Sequence, residues 1–416
     1  MDLPIKWDRI LLPRQGTDLT KWAVVACDQY TASPEYWEKV KSEVGGAPSS
    51  LNLILPEVYL GRDEAARAVK IGATMKEYVA AGIFDIVDDG VILVERTTTC
   101  HNTGAKKTRR GFMVAVDLEA YSFAHEDRAA IRATEGTVVE RLPPRAAVRE
   151  QCDLELPHIM QLVDDPEDNL IAPLFEMDGR VLYDFELMAG GGRLRGKLVD
   201  GRVHVEAALN KLLADSIDRY GSSFLFGVGD GNHSLAAAQS VWKKTRDPKA
   251  RYALCEVVNI YDKGLEFEPI HRVVFGVNAE DLKKFLLSSL RAERSKPPQK
   301  NNKADCFADA RNSDYNLIAD GEKMNIALPK DPIEAVAFVQ KALDDYGGEI
   351  DYIHGKEDLE ALCGRGRGNV GILLPAMPKD ALFPYCAAKG ALPRKTFSMG
   401  EAYEKRYYME ARKIRG

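Results

Sequence analysis

Phe224-Leu225-Phe226-Gly227-Val228-Gly229-Asp230-Gly231-Asn232-His233-Ser234-Leu235-Ala236-Ala237-Ala238 is the stretch on which the fold turns. Phe224 to Val228 reads as a short buried strand, and Leu235 to Trp242 as an alanine-rich helix. A strand that turns through glycine into a helix exposes the first backbone N–H groups of that helix. Those donors and the helix dipole attract an anion, phosphate above all. Gly229 and Gly231 allow close backbone approach, and Asn232, His233 and Ser234 place three polar side chains at the helix start. Asp230 is a candidate to hold Mg2+ or to position an imidazole. The blander reading is an ordinary capped helix start, with Asp230 or Asn232 as the cap.

Upstream, Ile10-Leu11-Leu12 precedes Pro13, and Trp22 to Cys27 reads as a buried strand delivering Asp28 and Tyr30 into a polar loop, with a helix from about Glu35. Helical spacing covers Asp63 to Ala81. Strands are expected at Val91 to Arg96 and Gly111 to Leu118, joined by a long tip, Thr97 to Arg110. That tip carries Cys100, His101, Lys106, Lys107, Arg109 and Arg110, read as solvated turn charges. A helix is expected from Ala146 to Met160. Val181 to Leu187 and Lys197 to Val205 form a hairpin around Gly190-Gly191-Gly192-Arg193-Leu194-Arg195, and a helix from Val205 stops at Gly221.

Beyond Arg251 the pattern restarts with strands at Ala253 to Ile260, His271 to Phe275 and Val370 to Leu374, and helices at Ala279 to Leu290 and Ile333 to Tyr346. Ser295 to Arg311 reads as an exposed insertion, Gly364 to Gly368 as a floppy loop, and Tyr403 to Ile414 as a basic amphipathic tail. The 416 residues exceed one ordinary core. The expected division is 1–250, containing the glycine loop, and 251–416, an α/β domain with the insertion near 295–311.

The net charge of −6 and pI of about 5.8 supply no global field for nucleic acid, so a small molecule is the expected partner. The start of the chain lacks the continuous apolar stretch of a secretory signal, and no window approaches the roughly 18 apolar residues of a membrane span. A cytoplasmic protein is expected, with no membrane partner and self-association left open. Seven scattered cysteines form no CxxC pair, so structural zinc and a disulfide framework are not expected.

Asp230-Gly231-Asn232-His233-Ser234-Leu235-Ala236-Ala237-Ala238 resembles the D-G-x-H-R-x-x-A-A signature of the ParB and sulfiredoxin superfamily, which includes the free serine kinases. In that superfamily the loop and its helix hold nucleotide phosphates. Ser234 stands where the arginine belongs, and losing that fork removes a bidentate phosphate clamp. The whole chain also resembles the family called domain of unknown function 1015. Its I-R-P-H-E-x-T segment, H-R-V-V strand and P-x-K-S/T-x-F ending match Ile131-Arg132-Ala133-Thr134-Glu135-Gly136-Thr137, His271-Arg272-Val273-Val274 and Pro393-Arg394-Lys395-Thr396-Phe397. Thr134, Asn232 and Ser234 depart from the pattern. The resemblance implies a mixed α/β fold, a ParB/sulfiredoxin-like mixed sheet elaborated with further α/β segments.

Each matched segment also has its own chemistry. Arg132, Glu135 and Thr137 join a cation, a general base and a hydroxyl, or else make a salt-bridged turn. His271 and Arg272 open an apolar strand, facing a ligand or forming a structural ion pair. Arg394, Lys395 and Thr396 suit phosphate or carboxylate, or else form a solvated basic turn. In the serine kinases an N-terminal carboxylate activates the substrate hydroxyl, and Asp28, Glu35 and Glu135 are candidates. The expected function is transfer or hydrolysis of a phosphoryl group on a small hydroxy or amino acid, serine and phosphoserine first. Asp230, His233 and Glu135 are its expected catalytic residues, with ATP or ADP and Mg2+ as candidate cofactors. The alternative is a non-catalytic regulatory binder of a nucleotide or of a phosphorylated or carboxylated metabolite. Thiol chemistry at Cys27 or Cys255 ranks last.

Overall fold

The apolar run ahead of the glycine loop forms the strand Phe226–Asp230. In the computed structural model, which describes residues 2–31, 33–100, 104–124, 128–294, 316–364 and 368–415, that strand runs parallel to Ile131–Ala133 and antiparallel to Met160–Val163. Among the described residues its sheet has ten strands. They run from one edge as Gly179–Leu187, Gly192–Val199, Val91–Thr99, Lys106–Asp117, Tyr252–Asn259, Met160–Val163, Phe226–Asp230, Ile131–Ala133 and Tyr121–Ser122, with Ile5–Lys6 on Lys106–Asp117. Parallel and antiparallel ladders both occur, so the chain is a mixed α/β protein.

Successive side chains on a strand face opposite ways. Val91 and Leu93 enter one core with Phe112, Val114 and Val116, whereas Ile92 and Val94 enter a second with Met113 and Leu254. Both faces are covered, which is why these strands are continuously apolar. The first core is closed by Val205, Leu209 and Leu213 of the helix Arg202–Tyr220 and by Leu235, Ala236 and Ala238 of the helix Asn232–Thr245. The second takes Trp22, Val24 and Val25, the helices Pro34–Val44 and Glu64–Ala80, and Tyr407, Tyr408 and Met409.

Several sequence expectations change here. Leu19–Trp22 is a short helix, and Ala23 to Ala26 is a buried segment bridged at Val25 to Tyr407 rather than a strand of a sheet. The helix expected over 146–160 is Leu142–Gln151, with prolines in its first turn; Pro157 follows it, and Met160 begins a strand. The hairpin tip is shorter than expected, because Thr97–Thr99 pairs with Lys106–Thr108. Its cations are used internally: Lys107 pairs with Glu266 and Glu404, Arg109 with Glu256, and Arg110 with Glu95. His101 lies outside the described residues.

The basic tail is the largest correction. Tyr407, Tyr408, Met409 and Ala411 are buried, and the segment is extended, exchanging backbone hydrogen bonds with Leu11, Val24 and Ala26. Its charges have partners inside: Arg406 bonds Glu256 and Glu410, and Arg412 bonds Glu155 and Asp8.

The chain forms two compact units, 1–266 with 382–391 and 402–416, and 267–381 with 392–401. The division falls after 250 because Tyr252–Asn259 is hydrogen-bonded into the middle of the ten-stranded sheet. The second unit holds a six-stranded sheet among its described residues, with Phe267–Phe275 paired to Glu349–His354, Val370–Ile372 and Phe397–Met399. Ala279–Arg294 and Pro332–Tyr346 contribute Leu282, Leu286, Val336 and Val339 to its core. The expected insertion at 295–311 lies outside the described residues. No described helix is long and apolar enough to cross a membrane.

Candidate functional site

The glycine loop is built by a close approach. Gly231 takes φ +80°, and a Cβ there would sit 2.9 Å from Ile159 Cγ1 and 3.0 Å from Ile159 Cα. Only glycine meets both demands without strain. The helix Asn232–Thr245 starts immediately after it. Thr134 to Val138 wraps this turn: Thr134 Oγ1 donates to Val228 O at 2.6 Å, Asn232 Nδ2 donates to Glu135 O at 3.3 Å, and the Val138 N–H donates to His233 Nε2 at 3.2 Å. The segment Thr134–Thr137 therefore meets the loop, and His233 spends its Nε2 lone pair holding the two together. Asp230 accepts from the Gly231 N–H at 3.0 Å, and its other oxygen lies 3.2 Å from Lys405 Nζ.

That ion pair bears on Mg2+. The Asp230 carboxylate already has an ammonium where the divalent ion was expected, and no group of three His, Cys, Asp or Glu side chains is gathered to hold a metal among the described residues.

Ser234, the third residue of the helix, faces a different way. Its Oγ lies 3.0 Å from His158 Nε2, and His158 Nδ1 lies 2.9 Å from the Tyr408 hydroxyl. The Tyr408 oxygen accepts from the Cys27 backbone N–H at 3.1 Å. Burial, then the neighbouring Cys27 and Asp28, push the Tyr408 hydroxyl well above its ordinary range, so it stays protonated. Burial likewise pushes the Cys27 thiol up, and the Cys255 thiol to about 12, which sets both against thiolate chemistry.

Ser234 and His158 line a half-open cavity of about 140 Å³. Its polar wall also carries Arg145, Arg149, Glu57 and Glu155, and its apolar wall includes Leu55, Met75, Val148 and Ile159. Arg145 and Arg149 sit four residues apart on one face of the helix Leu142–Gln151. Arg145 pairs with Glu57, whose carboxyl is raised by burial and by the nearby Asp28. Arg149 pairs with Glu155, which Arg412 also bonds. Two arginines thus share Glu155, while burial disfavours the charge on Glu57.

The remaining expected residues are placed elsewhere. Arg132 is buried, its guanidinium donating to Ala129 O and Ser222 Oγ and stacking 4.3 Å from the Phe224 ring centroid. Glu35 is exposed in the first turn of Pro34–Val44, and Asp28 stands beside Glu57 next to the cavity residue Cys27. Arg193 pairs with Asp184 across the hairpin. His271, Arg272, Arg394, Lys395 and Thr396 all belong to the second unit. There Arg272 is fully buried and donates to Gln340, Ile270 O, Arg394 O and Lys395 O, bracing the turn that holds Thr396. His271 accepts from the Leu374 N–H at 3.1 Å, and burial with the adjacent Arg272 cation lowers its imidazole to about 4. Of the Gly364–Gly368 loop, residues 365–367 lie outside the described residues.

Sequence reasoning missed Glu57, Arg145, Arg149, His158, Lys405 and Tyr408. The four-residue spacing of Arg145 and Arg149 after Pro143-Pro144 was the available signal for two of them.

A mixed α/β sheet with a glycine turn feeding a helix over a small cavity defines the class of protein. The chain belongs to the family described as "Protein of unknown function (DUF1015)", which it matches over residues 11–346. No curated protein matches it in sequence. Among solved structures it is similar to a conserved hypothetical protein from Pyrococcus furiosus, at 14% identity over 73% of this chain and 95% of that chain, with a TM-score of 0.37. It is also similar to a free serine kinase variant in complex with ADP, at 12% identity over 76% and 95% of the two chains, TM-score 0.39. A third is SbnI with C-terminal truncation from Staphylococcus aureus, at 9% identity over 72% and 81%, TM-score 0.34.

Proposed function

We propose that the chain is a phosphoryl-transfer enzyme acting on a small phosphorylated metabolite, and that its favoured reaction is hydrolysis of the phosphomonoester. The observation that carries this reading is that Ser234, in the first turn of the helix Asn232–Thr245, lines one cavity with Arg145 and Arg149. The positive end of a helix and two guanidinium groups together favour a dianion. Phosphoryl transfer asks mainly for such positioning and charge.

Two features favour hydrolysis over a nucleotide-dependent kinase. Ser234 replaces the arginine fork that clamps nucleotide phosphates in the resembling superfamily. The cavity of about 140 Å³ is also smaller than the roughly 300–1,000 Å³ of sites that enclose larger ligands. O-phosphoserine is the first substrate to test.

The test is inorganic phosphate release by the purified full chain from O-phosphoserine and a panel of small phosphomonoesters, beside serine phosphorylation with ATP or ADP. Phosphate release supports the reading. Serine phosphorylation returns it to a kinase, and calorimetric binding without turnover moves it to a non-catalytic metabolite binder.

A further inference from the structure

Ser234 is more than a polar lining residue. Its hydroxyl touches an imidazole, and that imidazole touches a second group that fixes its orientation, the arrangement that activates a serine as a nucleophile. We propose that Ser234 is the covalent nucleophile of this site, with His158 as its general base and Tyr408 as the positioning residue that holds the imidazole.

In the proposed arrangement His158 carries its proton on Nδ1 and donates it to the Tyr408 oxygen at 2.9 Å. That oxygen also accepts from the Cys27 N–H at 3.1 Å. With the proton on Nδ1, His158 Nε2 presents its lone pair to Ser234 Oγ–H at 3.0 Å. Arg145, which lines the same cavity as Ser234, supplies a cation for the phosphoryl oxygens.

The inference rests on the phosphomonoester reading above, and the steps balance. Ser234 Oγ attacks phosphorus as its proton passes to His158 Nε2. The substrate P–O ester bond breaks, and the leaving alkoxide takes that proton from His158 to depart as the alcohol. Water then attacks the phosphoserine, giving its proton to His158. Ser234 Oγ leaves and recovers the proton, and inorganic phosphate is released.

Sequence adds a reason to single out this serine. It stands where the resembling families carry arginine, so the same loop position has exchanged a clamp for a hydroxyl. His233, the histidine the motif highlights, has its Nε2 committed to Val138, whereas His158 faces Ser234 from a strand-leading segment that no motif marks.

A fluorophosphonate tests the nucleophile without knowledge of the substrate. One adduct on Ser234 of the wild-type chain is expected by peptide mass mapping, lost in Ser234→Ala and slowed about a hundredfold in His158→Gln. Tyr408→Phe keeps the ring but removes the Nδ1 acceptor. It is expected to slow labelling about tenfold and to displace the pH profile of labelling, which a merely structural tyrosine leaves in place. Acid quenching during turnover of O-phosphoserine is expected to trap a phosphoryl group on Ser234. Absence of the adduct from folded wild-type chain, or wild-type phosphate release by Ser234→Ala, overturns the nucleophile and leaves the phosphomonoester reading standing. An adduct on Ser234 with no turnover of any phosphomonoester supports the nucleophile and overturns the substrate class.

Discussion

Lys405 sets its ammonium 3.2 Å from the Asp230 carboxylate, so the last strand residue before the glycine turn is neutralised by the segment that closes the chain. The two side chains are 9% and 20% exposed, which leaves the pair weakly screened. Lys405→Met is expected to lower the unfolding free energy by about 1–3 kcal/mol. That is less than the roughly 3–5 kcal/mol for breaking a fully buried pair, because Asp230 keeps some contact with water. Urea denaturation checks this, and the Asp230→Asn/Lys405→Met double variant is expected to recover part of the loss. An unchanged midpoint in Lys405→Met contradicts it.

Gly231→Ala strains the turn twice. The left-handed backbone costs an L-residue about 1–2 kcal/mol, and the new methyl meets Ile159 at 2.9 Å. A total loss of about 2–4 kcal/mol is expected in thermal or urea unfolding. Because Ile159 follows His158, phosphomonoester turnover is expected to fall as well, by more than the folded fraction alone accounts for.

Acid sensitivity is expected to come from Glu256. It is fully buried, and burial alone would raise its carboxyl, but Arg109 and Arg406 hold it below the usual carboxylate range. Its folded value lies below the unfolded one near about 4.3. The stabilisation is therefore complete above that value and is lost as pH falls through the folded value. Glu155, held low by Arg412 and Arg149 against its burial, adds in the same sense. Unfolding free energy is expected to decline below about pH 5, and Glu256→Gln to show a shallower decline from a lower plateau. Urea titrations across this range decide it. A Glu256→Gln slope equal to that of the wild type assigns the acid sensitivity elsewhere.

Arg145→Met removes one of the two guanidinium groups of the cavity wall. If phosphate sits there, kcat/KM for phosphomonoesters is expected to drop by about 10- to 1,000-fold, corresponding to the roughly 1.5–4 kcal/mol of a lost charge-assisted contact. Arg145→Lys is expected to recover part of the loss as a point charge without the fork. Equal kcat/KM for wild type and Arg145→Met places the phosphate away from this wall.

Much of the fold was legible because its signals are local. The run Phe224 to Val228, the glycines and the alanine-rich helix are neighbours in sequence, so periodicity and turn chemistry located the strand to within two residues of Phe226–Asp230 and the helix to within three of Asn232–Thr245. The helix 146–160 was placed too far along because apolar spacing continued past Gln151, although Pro157 marked the break. That error hid His158. The segment Tyr403 to Ile414 misled for a different reason. Its lysines and arginines, interspersed with tyrosines, resemble a solvated basic face, and nothing local reveals that Glu256 and Glu155 wait inside to neutralise Arg406 and Arg412.

Sequence by itself determined the mixed α/β class, the glycine turn at Gly231 and the alanine-rich helix that follows it, because these depend on backbone freedom and short-range periodicity. Tertiary structure alone decided which side chains meet there. Ser234 lies 76 residues from His158 and His158 lies 250 from Tyr408, and long-range packing, not proximity along the chain, brings their polar atoms within 3.0 Å and 2.9 Å.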